Sequence, residues 1–191
     1  GLIQALQGVA ADNGRRLRVI DFGGSLGSSY WQHRPELDAM SEVKWDVVEQ
    51  AHFVDAGRRF VQDDRLRFFT SIEEAEQATS HQVLLASGVV QFLPDPHGFL
   101  DDIVGRRFPW LVLHNLPLHD GEPDYLMVEH VPPSIYPATY PVWFFNRGSF
   151  LAHFARDYIV TQQYASTAIW SRGWWNYPST GLVLKLNQRR I

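Results

Sequence analysis

Apolar residues recur with two periods along the first part of the chain, one typical of buried strands and one of amphipathic helices. Short apolar runs rich in β-branched and aromatic residues predict five strands, at residues 17–22, 44–49, 66–69, 81–86 and 110–114. Between them, helical spacing predicts helices that begin near residues 2, 28, 51, 72 and 96. Strands and helices in alternation predict a parallel sheet joined by right-handed crossovers.

Several of the predicted helices carry sequence signals for their first residues. Ser29 and Ser71 are each followed three positions later by Gln or Glu, the spacing of a capping box. Asp95 before Pro96 is typical of an N-cap and the first helical residue. Pro35 either kinks a helix or begins a new one, because proline fits only the first turn.

The alternating pattern ends after the fifth predicted strand. Residues 117–141 contain six prolines and no helical period, which predicts a long ordered excursion, and we expect residues 117–143 to form a substrate lid. A helix at 150–154 and strands at 158–164 and 181–186 follow. The last two strands are expected to pair antiparallel across an aromatic loop at 165–180.

These elements predict one domain over residues 1–191 of the α/β class. The expected architecture is a Rossmann-like doubly wound sheet, mostly parallel, with an antiparallel C-terminal hairpin. An ordinary domain of this length can bury a single large core.

Composition narrows the range of functions. The net charge is −4 without a run of like charges, which argues against a nucleic-acid partner. The chain has no cysteine and therefore neither disulfides nor thiolate metal sites. No apolar run approaches the roughly 20 residues of a membrane span, so we expect a cytoplasmic protein. The chain begins Gly-Leu-Ile-Gln, without a methionine or signal-peptide pattern, which is consistent with a trimmed N-terminus.

The first strand runs directly into a glycine-rich turn, and residues 18–27 read Arg-Val-Ile-Asp-Phe-Gly-Gly-Ser-Leu-Gly. Glycines allow positive φ and leave no Cβ between the chain and a ligand. A strand, a glycine turn and a helix start together form a place where free amides face a nucleotide-like molecule. The alternative is an ordinary tight turn between strand and helix.

The order of residues in this turn separates two classes of cofactor. The dinucleotide fingerprint G-x-G-x-x-G would need a glycine where the chain has Phe22. Residues 21–27 instead begin acid, any residue, glycine. They resemble the first motif of the class I S-adenosylmethionine-dependent methyltransferases, with Ser25 in place of the middle glycine. The resemblance implies that the turn wraps the methionine and ribose part of S-adenosylmethionine.

Further cofactor contacts are expected at the ends of the following strands. Glu49 lies about twenty residues after the last glycine, where a carboxylate accepts hydrogen bonds from ribose hydroxyls of nicotinamide or S-adenosylmethionine cofactors. The alternative interpretation of Glu49 is a solvated acid at the end of a strand. The methyltransferases often carry an acid after the third strand, where this chain has Thr70, so adenine recognition is expected to rest on stacking or backbone contacts. The resemblance implies a cofactor site formed by Asp21, Gly23, Gly24, Ser25, Gly27, Glu49, Gln50, Thr70, Ser71, Ser87 and Gly88.

Candidate catalytic chemistry follows the fifth strand. His114 stands at its end, where an imidazole of ordinary pKa near 6.5 is well placed as a general base; a purely structural histidine is the alternative. In the expected lid, His130, Tyr136 and Tyr140 are candidate substrate contacts, although tyrosines among prolines also pack irregular backbone. The eight histidines form no metal-binding spacing, so no metal is expected.

Three segments, at residues 19–30, 45–50 and 131–137, also resemble bacterial methyltransferases associated with surface-polysaccharide biosynthesis. The resemblance implies methyl transfer from S-adenosylmethionine to a hydroxyl or amine of a small-molecule or glycan-precursor substrate. Two alternatives stay open. One is a nicotinamide-dependent sugar oxidoreductase, which Phe22 disfavours, and the other is a cofactor-binding module without catalysis. The sequence does not indicate an oligomeric state.

Overall fold

The structure is a computed structural model that describes residues 1–121, 123–131, 133–134, 137–172 and 175–188. The strands in the described part of the chain are β1 (Arg16–Phe22), β2 (Glu42–Val48), β3 (Leu66–Phe69), β4 (Val83–Ser87), β5 (Trp110–Leu116), β6 (Leu118–His119), β7 (Tyr125–Val131), β8 (Ala138–Asn146), β9 (Tyr158–Arg172) and β10 (Trp175–Leu186). The helices are α1 (Leu2–Ala11), α2 (Ser28–Gln32), α3 (Arg34–Asp38), α4 (Ala51–Phe60), α5 (Ile72–Ala78), α6 (Pro96–Gly105) and α7 (Arg147–Ala152), with a 3₁₀ turn at Val90–Phe92.

A seven-stranded sheet in the order β3-β2-β1-β4-β5-β10-β9 forms the centre of the protein. The strands from β1 to β5 are mutually parallel, whereas β10 runs antiparallel to both β5 and β9. The five predicted parallel strands and the antiparallel C-terminal pair are thereby confirmed. The strand order reverses between β1 and β4, which opens a crevice at the carboxyl ends of these two strands.

Helices cover both faces of the sheet. On one face, Leu6 of α1 and Val54 of α4 are fully buried in a core with Trp45 of β2. On the other face, Leu100 of α6 and Phe150 of α7 pack in a second core. Because β4 and β5 are buried on both sides, they carry continuous apolar runs, whereas β1, β2 and β3 also include charged residues.

Two of the predicted helix caps are confirmed and one is wrong. Ser71 caps α5 by accepting a hydrogen bond from the Glu74 amide at 3.1 Å, and Asp95 caps α6 through the Gly98 amide at 2.9 Å. Ser29 caps nothing, because α2 begins one residue earlier and Gly27 occupies its N-cap. The expected kink or new helix at Pro35 is the first turn of the separate helix α3.

The proline-rich excursion is folded as a small sheet of its own. The strands β6, β8 and β7 pair in that order, and Pro141 lies within β8 opposite Val128. The ring of Tyr140 meets the ring of Phe92 in the 3₁₀ turn edge-on at 5.3 Å. The small sheet therefore contacts the segment that follows β4, at the carboxyl edge of the central sheet.

The expected aromatic loop at residues 165–180 is wrong for the described residues, because β9 continues to Arg172 and β10 begins at Trp175. β9 and β10 stay paired from Tyr158 with Leu186 out to Arg172 with Trp175. In the part of the chain that the structure describes, no helix is long and apolar enough to cross a membrane.

Candidate functional site

The glycine turn after β1 is shaped by close contacts that leave no room for side chains. A Cβ on Gly24 would lie 2.5 Å from the Asp21 carboxylate, and one on Gly23 would lie 2.5 Å from the Val89 side chain. Gly23 also has a φ of 71°, and Ser25 adopts a left-handed φ of 54° although it is not glycine. Glycines are therefore required at the first two positions, and the serine accepts some backbone strain at the third.

Asp21 supports this turn from below. Its side chain is 1% exposed and accepts a hydrogen bond from the Trp45 indole at 2.9 Å through Oδ2, while Oδ1 has no partner among the described residues. Burial raises the pKa of Asp21 to about 7; the Trp45 hydrogen bond opposes this and the charge of Glu49 adds to it. The carboxyl group thus lies beneath the turn, outside the cavities described below.

This raised pKa predicts a pH-dependent stability. Since the pKa is higher in the folded than in the unfolded chain, the stabilising contribution is complete below about pH 4 and is lost as the pH rises through 7. An Asp21→Asn variant keeps an acceptor for Trp45 and cannot ionise. As the pH rises from about 4 to 7, we expect the free energy of unfolding of the wild type, relative to that of this variant, to fall by up to about 1.4 kcal/mol per pH unit. Urea unfolding of both proteins at several pH values measures this difference in free energy. A difference that stays constant with pH would contradict the prediction.

Glu49 ties the glycine turn to the end of β2. Its Oε1 accepts the Ser25 amide at 3.2 Å, and its Oε2 accepts the Gln50 amide at 2.8 Å. The carboxylate is half-buried, so it lies at the turn rather than free in solvent. Glu49, which the sequence predicts to bind the ribose hydroxyls, therefore also holds the strained Ser25 in place.

A cavity of about 300 Å³, which we call the glycine-turn cavity, lies at the carboxyl ends of β1, β2 and β3. It is lined by Phe22, Gly23, Val48, Glu49, Gln50, Thr70, Val89 and Leu93. Four of the residues expected to bind cofactor thus meet in one place. Val89 and Leu93 were not predicted individually, because apolar residues in a loop carry no distinctive sequence signal.

The other expected cofactor residues occupy different places around the turn. Ser71 caps α5, and Gly27 begins α2, where a Cβ would press against Leu66 at 3.0 Å. Gly88 follows β4 in a left-handed conformation and donates its amide to the His114 carbonyl at 2.9 Å. Ser87 pairs in register with His114 on β5 and lines a second cavity.

That second cavity, the His114 cavity, has a volume of about 370 Å³. Its lining joins the carboxyl ends of β4 and β5 to the starts of α1 and α2, and it consists of Gly1, Leu2, Ile3, Gln4, Ser29, Gln32, His33, Ser87, His114, Asn115, Ala165 and Ser166. The sequence predicted Ser87 and His114 here. The α1 residues and Ser166 come from distant parts of the chain and were not predicted.

His114 is enclosed by polar neighbours from β9. Its Nδ1 lies 3.1 Å from the Tyr164 hydroxyl and its Nε2 lies 3.4 Å from the Ser166 hydroxyl. Ser166 donates its own proton to the Asn115 side chain, so the Ser166 oxygen is left to accept from Nε2–H. Nδ1 is then the basic nitrogen, and the Tyr164 hydroxyl donates to it. Burial lowers the pKa of His114 to about 4, so the ring is neutral at physiological pH.

Gly181 on β10 makes the contact between Tyr164 and His114 possible. The two residues Tyr164 and Gly181 are paired across β9 and β10, and a Cβ on the glycine would lie 2.2 Å from the tyrosine ring. The ring lies flat over the glycine and stacks beside His114 at a centroid distance of 5.7 Å. Only the pairing register shows this role, because a single glycine in a strand is ambiguous in sequence.

The two expected substrate contacts from the lid that the structure describes do not line either cavity. His130 is exposed on β7, with its Nδ1 3.3 Å from the Thr139 hydroxyl. Tyr140 packs against Phe92 next to Leu93 of the glycine-turn cavity, and Tyr136 lies outside the described residues. Among the residues that the structure describes, no group of three or more acidic or histidine side chains is arranged to hold a metal ion.

Several solved structures share the fold of this chain. The glycopeptide N-methyltransferase MtfA complexed with S-adenosylmethionine is 13% identical with a TM-score of 0.63, over 96% of this chain and 92% of that one. The mitomycin 7-O-methyltransferase MmcR is 16% identical with a TM-score of 0.58, over 97% and 54%. LepI in complex with S-adenosylmethionine is 11% identical with a TM-score of 0.62, over 97% and 46%.

The chain spans about half the length of two of these three proteins. No protein-family profile matches the chain, and no curated protein shows significant sequence similarity to it. At identities this low, the likeness establishes a common fold: a mixed α/β domain with a mostly parallel sheet and an antiparallel C-terminal hairpin.

Proposed function

We propose that the protein binds S-adenosylmethionine in the glycine-turn cavity and transfers its methyl group to a hydroxyl or amine of a small-molecule or glycan-precursor acceptor. The observation that carries the proposal is the meeting of Gly23, Glu49 and Thr70, from three successive strand ends, around one cavity at the point where the strand order reverses. The solved structures of this fold with S-adenosylmethionine bound support the same cofactor.

The charge of the cavity favours a cofactor without phosphate. Its lining contains the Glu49 carboxylate and neither lysine nor arginine, and the Asp21 carboxyl lies directly beneath the turn. The diphosphate of a nicotinamide cofactor would meet this negative field without a basic partner, whereas a sulfonium cation is attracted to it. The acidic cavity therefore disfavours a nicotinamide-dependent sugar oxidoreductase, in addition to Phe22 in the glycine turn.

The residues divide into a cofactor side and an acceptor side. Glu49 would accept hydrogen bonds from the ribose hydroxyls, and the apolar side chains of Val89 and Leu93 would cover the adenine. When bound, the cofactor supplies an activated methyl group, so the chain has to position the acceptor, exclude water and receive its proton. In the His114 cavity the neutral imidazole is the group that receives it. The glycan-precursor class rests on the resemblance of three sequence segments.

Titration calorimetry with S-adenosylhomocysteine and NAD tests this function. We expect S-adenosylhomocysteine to bind with a stoichiometry of one and NAD to give no binding heat, because Glu49 in the lining repels a diphosphate and no lysine or arginine among the described lining residues offsets that charge. Binding of NAD without a signal from S-adenosylhomocysteine would overturn the proposal and favour the oxidoreductase. Binding of S-adenosylhomocysteine with no methyl transfer to any sugar or amine acceptor would favour a module without catalysis.

A further inference from the structure

A third cavity, of about 490 Å³, lies where the small sheet meets the C-terminal hairpin, and we call it the Arg147 cavity. It is lined by Leu118, His119, Asp120, Arg147, Gln163, Tyr164, Ala165, Pro178, Ser179 and Thr180. The residues come from four separate parts of the chain: β6 with its following residue, the first residue of α7, β9 and β10. No sequence pattern joins them.

Three polar atoms of this lining are buried without a hydrogen-bond partner among the described residues. They are Nη1 of Arg147, Nε2 of His119 and Oγ of Ser179, and Ser179 as a residue is only 1% exposed. Buried polar groups are nearly always paired, since leaving one unpaired costs its full desolvation. Three unpaired atoms around one cavity therefore indicate a polar ligand that pairs with them.

The arginine and the histidine are held in place by neighbouring groups. Arg147 donates through Nε to the Asp120 carboxylate at 2.6 Å, which fixes the guanidinium plane and leaves Nη1 directed elsewhere. The His119 ring packs against the Tyr125 ring at a centroid distance of 5.0 Å. Asp120 is largely exposed to solvent, with 76% of its side chain accessible, so its charge is screened more than that of the buried Nη1.

These donors match an anionic oxygen group. Guanidinium is always charged and presents its N–H groups in a plane that suits carboxylate and phosphate oxygens. A hydroxyl and an imidazole nitrogen beside it supply further hydrogen bonds to such oxygens. The guanidinium already has one exposed counterion in Asp120, and its buried Nη1 is left to donate to a second anionic group.

The Arg147 cavity adjoins the acceptor side of the proposed site at β9. Ala165 lines both the Arg147 and the His114 cavities, and Tyr164 lines the former while bonding to His114. An acceptor whose reacting atom lies near His114 could therefore extend past Tyr164 to Arg147. We infer that the Arg147 cavity binds a carboxylate or phosphate group of the methyl acceptor. The assignment to the acceptor rests on the proposed function, whereas the anion site itself does not.

Thermal unfolding in sodium phosphate, sodium acetate and sodium chloride of equal ionic strength tests the inference. We expect phosphate or acetate at about ten times its dissociation constant to raise the melting temperature by roughly 3 °C above the chloride value. Arg147→Gln is expected to abolish that rise, and Arg156→Gln, at an exposed arginine in the turn after α7, is expected to keep it. If Arg147→Gln fails to fold, Ser179→Ala removes only the buried hydroxyl and should reduce the rise.

The different salts in this experiment distinguish a phosphoryl group from a carboxylate. A parallel series with S-adenosylhomocysteine distinguishes the anion site from the proposed methyl transfer. A rise with phosphate alone identifies a phosphoryl group, and a rise with acetate alone identifies a carboxylate. No rise with either anion, or an equal rise in Arg147→Gln, would overturn the inference. S-adenosylhomocysteine is added in a parallel series; if it fails to stabilise the wild type while phosphate succeeds, the anion site stands and the proposed methyl transfer fails.

Discussion

Replacing His114 with alanine is expected to lower the rate of methyl transfer roughly 10²–10⁴-fold, which is the usual rate enhancement from general acid–base catalysis. The imidazole lines a cavity at the carboxyl edge, and its low pKa of about 4 keeps it unprotonated above pH 5. Because the Tyr164 hydroxyl occupies Nδ1, the acceptor's proton would reach the ring through that hydroxyl. Tyr164→Phe is therefore expected to slow transfer as well, while S-adenosylhomocysteine binding hardly changes in either variant.

The competing account is that His114 only holds Tyr164 and Ser166 in place. It predicts a lower melting temperature for His114→Ala with a near-normal rate in the protein that still folds. Single-turnover rates and melting temperatures of the same preparations separate the two accounts, and a preserved rate would remove His114 from the mechanism. The pH profile adds a second readout. An ordinary imidazole base would lose activity below pH 6.5, whereas burial of His114 predicts no such loss until near pH 4.

Glu49→Ala is expected to weaken S-adenosylhomocysteine binding by about 1.5–3 kcal/mol, or roughly 10- to 150-fold, the range for hydrogen bonds to a charged acceptor. The loss has two sources in the structure, the ribose hydroxyls and the Ser25 amide that the same carboxylate accepts. Glu49→Gln keeps an acceptor for that amide and removes the charge. It should therefore bind better than the alanine variant and worse than the wild type.

Calorimetric titration of the three proteins measures these affinities. Asp55→Ala provides a matched control, because it removes an exposed carboxylate from the adjacent helix α4 without touching the glycine-turn cavity. Unchanged affinity in Glu49→Ala would move the ribose site elsewhere. Equal losses in Glu49→Ala and Asp55→Ala would indicate that overall charge, and not the position of Glu49, governs binding.

The elements that the sequence predicted best are those set by local chemistry. The apolar runs of β4 and β5 reflect a sheet covered on both faces, and such runs are visible without knowing the partners. The caps at Ser71 and Asp95 were predicted because a capping side chain bonds an amide only three residues away. Ser29 failed because Gly27 begins α2 in a left-handed conformation that the capping pattern does not encode.

The small sheet and the long hairpin were missed because strand pairing is not local. Prolines in residues 117–141 suggested irregular backbone, yet Pro141 is accommodated within β8, and the strands became evident only through their partners. Likewise, residues 165–172 and 175–180 belong to strands whose formation depends on the register between β9 and β10. Each of these segments is stabilised by residues far away in sequence, which a local pattern cannot identify.

The sequence by itself therefore determined the glycine turn, the five parallel strands as elements, the acid at Glu49 and the place of His114 in the fifth strand, because each depends on neighbours along the chain; the sequence had ended β5 at His114, and the strand runs two residues further, to Leu116. The tertiary structure alone decided that Tyr164 lies over Gly181 to reach His114, and that Arg147, His119 and Ser179 surround one cavity. Those groups come from separate elements, and only the pairing of β9 with β10 beside the small sheet brings their side chains together.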